Sequence, residues 1–290
     1  MSSSVLEIDY NRLDILIDLA IEEDLLDIGD TTSKSVIPDN VQAIATFKVK
    51  EDCVIAGLPV AQRVFSKIDA DIQFTLSVKE GDFLKNGTVF AEMRGNAQSL
   101  LTAERTALNF MQRLSGVATA SKNYSDATGN SKTVVLDTRK TTPGWRNLEK
   151  YAVAIGGATN HRMGLYDRVM IKDNHRELAG LEGANSITRS VERARAMYPD
   201  LEVEVEADTL EEVAEAIKAN ADYILLDNMS NEQMVEAVSM NNGSSKLEAS
   251  GGITLERIPS ISKIGVDFIS VGALTHSVTS SDISMEINIG

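Results

Sequence analysis

The chain has 290 residues, 43% hydrophobic and 24% charged, with a formal net charge of −15 and one cysteine. That length supports one large domain or two modest ones, and the composition is that of a globular protein, not a disordered one. The acidity argues against nucleic-acid and anionic-membrane partners, and no apolar run approaches the ~18 residues that span a bilayer.

Met1 to Tyr10 carries no basic residue and no apolar stretch, so no secretory signal is expected there. Cys53 cannot form an internal disulfide, which agrees with a reducing cytoplasm, and it reads as a small buried hydrophobe more readily than as a nucleophile. Asn11–Leu26 and Thr102–Leu114 read as helices, Ile44–Lys50 and Ile72–Val78 as strands. Glu80-Gly81-Asp82 and Asn86-Gly87 are turn signals between short strands. Their hairpin pattern resembles that of biotinyl and lipoyl carrier domains, but the exposed lysine motif of those carriers is missing. The first third is therefore expected to be an α+β layer, ending near Val117.

The rest alternates between strand and helix. Strands are predicted at Val134–Arg139, Val169–Asn174, Leu201–Ala207, Tyr223–Asn228, Lys246–Gly251 and Phe268–Ala273. Leu210, Val213, Ala214 and Ile217 share one helical face, and both Thr209 with Glu212 and Ser230 with Gln233 have capping-box spacing. Ile187, Val191, Ala194 and Tyr198 form a further stripe, ended by Pro199. From Leu201 the strands start roughly every 22 residues, the period of βα units in a parallel barrel. Polar or ionisable clusters close nearly every strand, which favours a barrel mouth over the single switch point of an open sheet.

Three features carry chemistry. Between Asp137 and Arg176 lie eight lysines and arginines against four carboxylates, together with His161 and His175. Cations that interrupt strand-like stretches point to a pocket for a strongly anionic ligand. Glu202, Glu204 and Glu206 share one strand face, because side chains alternate with period two. In a barrel that face points inward and needs cations or a metal, and Lys140, Arg162 and Lys172 are the available cations. Ser250-Gly251-Gly252 and Val271-Gly272-Ala273 close the last two strands, where paired loops of barrels commonly hold a phosphate.

These residues carry a resemblance. Asp137-Thr138-Arg139-Lys140-Thr141-Thr142-Pro143-Gly144, Asn160-His161-Arg162-Met163-Gly164-Leu165 and Ile171-Lys172-Asp173-Asn174-His175 resemble the signature of quinolinate phosphoribosyltransferases. Further similar segments run nearly end to end: Gly29-Asp30-Thr31-Thr32, Glu104–Phe110 with Leu114-Ser115-Gly116, Leu225–Asn228, Glu248–Ile253 and Gly272–His276. Two departures are small: Gly156-Gly157-Ala158 stands where three glycines are usual, and Trp145 where leucine is commoner.

The resemblance implies an α/β protein. An amino-terminal α+β open sandwich (residues 1–117, completed by 275–290) would precede an incomplete parallel α/β barrel (118–274). It implies a homodimer with a shared active site, in which Arg105 reaches into the partner's barrel to hold a quinolinate carboxylate. Arg139, His161, Arg162 and Lys172 would line the rest of that pocket, with Lys140 between quinolinate and the pyrophosphate of phosphoribosyl pyrophosphate. Glu206 and Asp227 would meet the ribose hydroxyls or Mg²⁺, and Ser250, Gly251, Gly252, Gly272 and His276 would surround a phosphate. Lys140, Lys172, Glu206 and Asp227 are the expected catalytic set, and either His161 or Lys172 would return a proton after decarboxylation.

Two alternatives remain at this point. A Schiff-base aldolase would use Lys140 or Lys172 with a sugar phosphate, but leaves Arg105, Arg139 and Arg162 without work. A nicotinate phosphoribosyltransferase or a molybdenum-associated homologue would share the fold, though the dense cluster suits a dicarboxylate better.

Overall fold

The computed structural model describes residues 6–179 and 185–289. The first elements in chain order are α1 (Tyr10–Leu25), α2 (Thr31–Val36), β1 (Gln42–Val49), β2 (Cys53–Val54), α3 (Leu58–Ile68), β3 (Gln73–Leu76), β4 (Phe83–Leu84), β5 (Val89–Asn96) and α4 (Ala97–Ala127). There follow β6 (Val134–Leu136), α5 (Arg146–Ile155), β7 (Val169–Ile171), α6 (Asp173–Leu178), α7 (Ser186–Met197), β8 (Val203–Ala207), α8 (Leu210–Lys218), β9 (Tyr223–Asp227) and α9 (Asn231–Asn241). The chain closes with β10 (Lys246–Ser250), α10 (Ile258–Ile261), β11 (Phe268–Ser270), α11 (Ala273–His276) and β12 (Ile283–Ile289).

The chain forms two compact units. One comprises residues 1–122, 142–157 and 277–290, and the other 123–141 and 158–276. The expected division at residue 117 falls inside α4, which runs on to Ala127, and Thr142–Gly157 belongs to the first unit. The helix expected to stop at Leu114 continues because Gly116 serves packing, not termination. A Cβ at Gly116 would lie 2.2 Å from the carbonyl oxygen of Thr279, so only glycine admits that close approach.

In the first unit, β1 pairs antiparallel with both β5 and β12, and β3 completes the order β12-β1-β5-β3. Burial alternates along β1, placing Ala43, Ala45, Phe47 and Val49 inside. Phe47 packs on Phe65, Phe74 and Phe90 with ring centroids 5.9, 6.2 and 5.9 Å away, and the fully buried rings of Phe47, Phe65 and Phe90 each stabilise by roughly 1.5–3 kcal/mol. Trp145 stacks on Phe110 at 4.7 Å, so this departure from the family pattern adds packing area. Cys53 is fully buried, and burial pushes its thiol pKa up to about 11, which leaves it unreactive near neutrality.

The second unit holds six parallel strands in the order β6-β11-β10-β9-β8-β7. The order is cyclic except between β6 and β7, the two edges, so the barrel is incomplete. Thr159 lies beside Leu136 in a short parallel bridge, and thus the segment leading to His161 runs along the edge of β6. Strands in this sheet are shorter than predicted. Lys172 no longer belongs to β7 but caps α6, where its backbone N–H donates to His175 Nδ1 at 3.0 Å. The predicted caps are in place: Thr209 accepts from the Glu212 N–H, and Ser230 and Gln233 form a reciprocal capping box.

Candidate active site

Because all six strands are parallel, their carboxyl ends lie together, and the side chains at those ends line one cavity of about 700 Å³ within the second unit. Arg139 and Lys140 follow β6, Lys172 follows β7, Glu206 lies on β8 and Asp227 on β9. Ser250, Gly251 and Gly252 close β10, and Gly272 and His276 follow β11. His161 and Arg162 enter from the segment beside β6. Of the catalytic and substrate-binding residues that the resemblance implies, only Arg105 is not in the lining. It lies exposed on α4, in the first unit.

Asp137, fully buried at the end of β6, fixes the edge segment. Its Oδ1 accepts from the His161 backbone N–H and its Oδ2 from Asn160 Nδ2, both at 2.8 Å. Sequence reasoning gave Asp137 no role. Its place directly before Thr138-Arg139-Lys140 was the available signal.

The glutamates of β8 do point inward, but their cations differ from those expected. Glu206 is ion-paired with Lys172 as anticipated. Glu204, fully buried, instead meets Arg168 at 3.3 Å and His161 at 3.4 Å, while the exposed Glu202 lies 3.4 Å from Arg168. The parallel register explains this. Val169 pairs with Val203, so Arg168 stands at the amino end of β7 beside the first glutamates, whereas Lys172 reaches only the last. Lys140 and Arg162 are left for the cavity.

Arg162 is held from two sides. Its backbone N–H donates to His161 Nδ1 at 2.6 Å, and its Nη1 donates to the carbonyl oxygen of Arg168 at 3.1 Å. Burial and the neighbouring Arg139 charge lower its pKa, but from a value so high that the guanidinium stays charged. Arg168 has φ +80° and lays its guanidinium 3.7 Å over the Tyr223 ring. Beneath His161 lies a second buried carboxylate, Glu248, 3.4 Å from Nε2. Burial, and then the nearby Glu204 charge, push the Glu248 pKa up, whereas for Glu204 the His161 and Arg168 interactions outweigh burial and pull the pKa down. Since Nδ1 of His161 accepts from a backbone N–H, the ring hydrogen lies on Nε2, facing the two carboxylates.

Gly251 has φ +92°, and a Cβ there would lie 2.2 Å from Asn228 Oδ1. The loop after β10 therefore packs directly on the loop after β9, leaving backbone and not side chain exposed toward the cavity.

An anion pocket with strand-end carboxylates can bind a phosphorylated sugar and a second polyanion together. Comparison with known proteins decides which family built it. Residues 117–286 match the family described as quinolinate phosphoribosyl transferase, C-terminal domain, and residues 30–115 match its N-terminal domain. The chain belongs to the quinolinate phosphoribosyltransferase family.

It is 43% identical to quinolinate phosphoribosyltransferase [decarboxylating] 1b of Nicotiana tabacum, over 94% of this chain and 81% of the relative. It is equally 43% identical to a probable nicotinate-nucleotide pyrophosphorylase [carboxylating] of Bacillus subtilis, over 90% and 89%. The nicotinate-nucleotide pyrophosphorylase structure from Francisella tularensis superposes with a TM-score of 0.92 at 36% identity, covering 99% of this chain and 100% of that one. NadC from Streptococcus pyogenes gives 0.92 at 40%, covering 97% and 98%. The cavity lies wholly within the segment matched by the quinolinate phosphoribosyltransferase C-terminal domain.

Proposed function

We propose that the protein transfers the phosphoribosyl group of phosphoribosyl pyrophosphate to the nitrogen of quinolinate, releasing pyrophosphate and carbon dioxide and forming nicotinate mononucleotide for NAD biosynthesis. One observation carries the reading: in a chain of net charge −15, Arg139, Lys140, Arg162 and Lys172 converge on a single cavity that the glycine turns of β10 and β11 also line.

Planar guanidinium groups bind a rigid carboxylate two bonds at a time, so Arg139 and Arg162 suit the two carboxylates of quinolinate. Lys140 and Lys172 are placed for the pyrophosphate, with Gly251, Gly252 and Gly272 offering backbone N–H groups to the sugar phosphate beside Ser250 and His276. In the first step the pyridine nitrogen lone pair forms the bond to ribose C1 as the C1–oxygen bond breaks, its electrons leaving on pyrophosphate. The developing negative charge meets lysine ammonium groups already in place, so no covalent enzyme intermediate is needed. The ring nitrogen is now positive. Losing the adjacent carboxylate as carbon dioxide leaves its electron pair on the ring carbon, stabilised by that charge, and a proton then adds there. Both ring nitrogens of His161 face protein groups, which favours Lys172 as the donor.

Glu206 and Asp227 present hard carboxylate oxygens at adjacent strand ends, a donor set that fits Mg²⁺ retaining several waters. These two residues would hold the ion, which supplies charge neutralisation to the pyrophosphate. Arg105, absent from the cavity lining, fits a shared site in a homodimer, where the partner's copy completes the quinolinate pocket. No helix among the described residues is long and apolar enough to cross a membrane. Some plant relatives are named as mitochondrial or chloroplastic proteins. The test is turnover with quinolinate, phosphoribosyl pyrophosphate and Mg²⁺ against nicotinate in its place. Turnover on nicotinate alone would reject the reading.

A further inference from the structure

His161, Glu204 and Glu248 are buried together, with one ligand-type atom from each lying within 4.8 Å of the others. Two carboxylates and an imidazole suggest a cation site. The hydrogen bond at the other side of the ring decides against it. A neutral imidazole has one lone pair and one N–H. Nδ1 faces the Arg162 backbone N–H at 2.6 Å, which places the lone pair at Nδ1 and the hydrogen on Nε2. Nε2 then points a hydrogen, not a lone pair, at Glu204 and Glu248, each 3.4 Å away. A metal at Nε2 would require the opposite tautomer, with two hydrogens facing each other at Nδ1.

The same geometry gives the cluster a purpose. Arg162 is the residue that His161 holds by its backbone, and its guanidinium rests on the carbonyl of Arg168. Arg168 is tied in turn to Glu204 at 3.3 Å and to the Tyr223 ring at 3.7 Å. Both grips on Arg162 thus return to the carboxylates beneath the ring. Glu204 is anchored by Arg168, whereas among the described residues Glu248 has no ion-pair neighbour within 4.0 Å except His161. It occupies an otherwise apolar stretch of β10 between Leu247 and Ala249, where burying a carboxyl is costly.

We infer that Glu248 is a positioning residue for substrate recognition: its buried carboxyl, 3.4 Å from Nε2, holds the His161 ring in place, and His161 in turn fixes Arg162 through its backbone N–H against the quinolinate carboxylate. Glu248 acts through His161 and need not touch the substrate. The inference rests on Arg162 serving quinolinate, as proposed above.

The experiment uses the full chain and three substitutions. Glu248→Gln retains an acceptor oxygen of the same shape and is expected to keep the quinolinate KM within about threefold of wild type. Glu248→Leu removes the acceptor, and the loss of a buried hydrogen-bond partner predicts a rise in quinolinate KM of about 10- to 100-fold, with the phosphoribosyl pyrophosphate KM changing far less. Combined with Arg162→Ala, Glu248→Leu is expected to add little, because both act through one contact. A second readout is independent of activity. The chain has three histidines, so nitrogen NMR of labelled imidazoles can be assigned by deleting them singly. His161 is expected to carry its hydrogen on Nε2, with ring-nitrogen signals like wild type in Glu248→Gln and displaced in Glu248→Leu. Unchanged His161 ring signals in Glu248→Leu would overturn the inference, as would a Glu248→Leu chain with wild-type KM. If Arg162→Ala itself leaves the quinolinate KM unchanged, the reading of Arg162 fails first.

Discussion

Lys172 and Glu206 are ion-paired across the carboxyl ends of two adjacent parallel strands. The register makes the pairing: Ile171 lies opposite Val205, so the next residue of each chain segment faces the cavity side by side. Each partner is also assigned to substrate, Lys172 to the pyrophosphate and Glu206 to the metal-bearing side. The pair must therefore open when the site fills.

Lys172→Ala is expected to reduce kcat by about 10²- to 10³-fold, the scale for removing one preorganised charge from a developing anion. Lys172→Arg should not restore it, since a planar fork does not replace a compact ammonium. Steady-state kinetics with saturating quinolinate checks both. A Lys172→Ala enzyme within about threefold of wild type would remove the residue from the chemistry.

Gly251→Ala and Gly252→Ala should separate strain from binding. Gly251 has φ +92° with Asn228 Oδ1 only 2.2 Å from a built Cβ, whereas Gly252, at φ +57°, has open space around it. Gly251→Ala is expected to destabilise by about 1–3 kcal/mol and Gly252→Ala by less, while both weaken phosphoribosyl pyrophosphate binding. Denaturant unfolding and calorimetric titration distinguish the two effects.

Asp30, from the amino-terminal motif, is the N-cap of α2 and accepts from the Ser33 N–H at 2.9 Å and from Thr102 Oγ1 at 3.1 Å. The bonds from Ser33 hold its carboxyl below its ordinary value. A depressed pKa means stability present above the unfolded value and lost as pH falls through the folded one. Asp30→Ala should cost about 1 kcal/mol near neutrality, and the difference from wild type should shrink on acidification below about pH 4. A pH-independent difference would show that the cap is not ionised.

Arg105→Ala and Lys140→Ala chains, each inactive alone, are expected to regain activity when mixed, because a shared site leaves some sites with both residues intact. No recovery after subunit exchange would place Arg105 and Lys140 in the site of one chain.

Much of this was legible in the sequence, because period-two alternation and strand-end polarity report directly on a parallel sheet. The inward face of β8 and the two caps of α8 and α9 followed from spacing alone. The long reach of α4 did not, since the contact that needs Gly116 is made by Thr279, far along the chain. Nor did the partners of Glu204. Which cation meets which glutamate depends on strand register, and register between parallel strands is set by packing that no local pattern records. Glu248 was visible only as one letter of a motif. Its burial beneath His161 comes from β10 lying within the sheet.

The most direct test of the central claim uses quinolinate labelled in the carboxyl carbon beside the ring nitrogen, with phosphoribosyl pyrophosphate and Mg²⁺. The account predicts labelled carbon dioxide, pyrophosphate and nicotinate mononucleotide in equal amounts, and no carbon dioxide when phosphoribosyl pyrophosphate is withheld. Label retained in the nucleotide product, or carbon dioxide released without the phosphoribosyl donor, would contradict it.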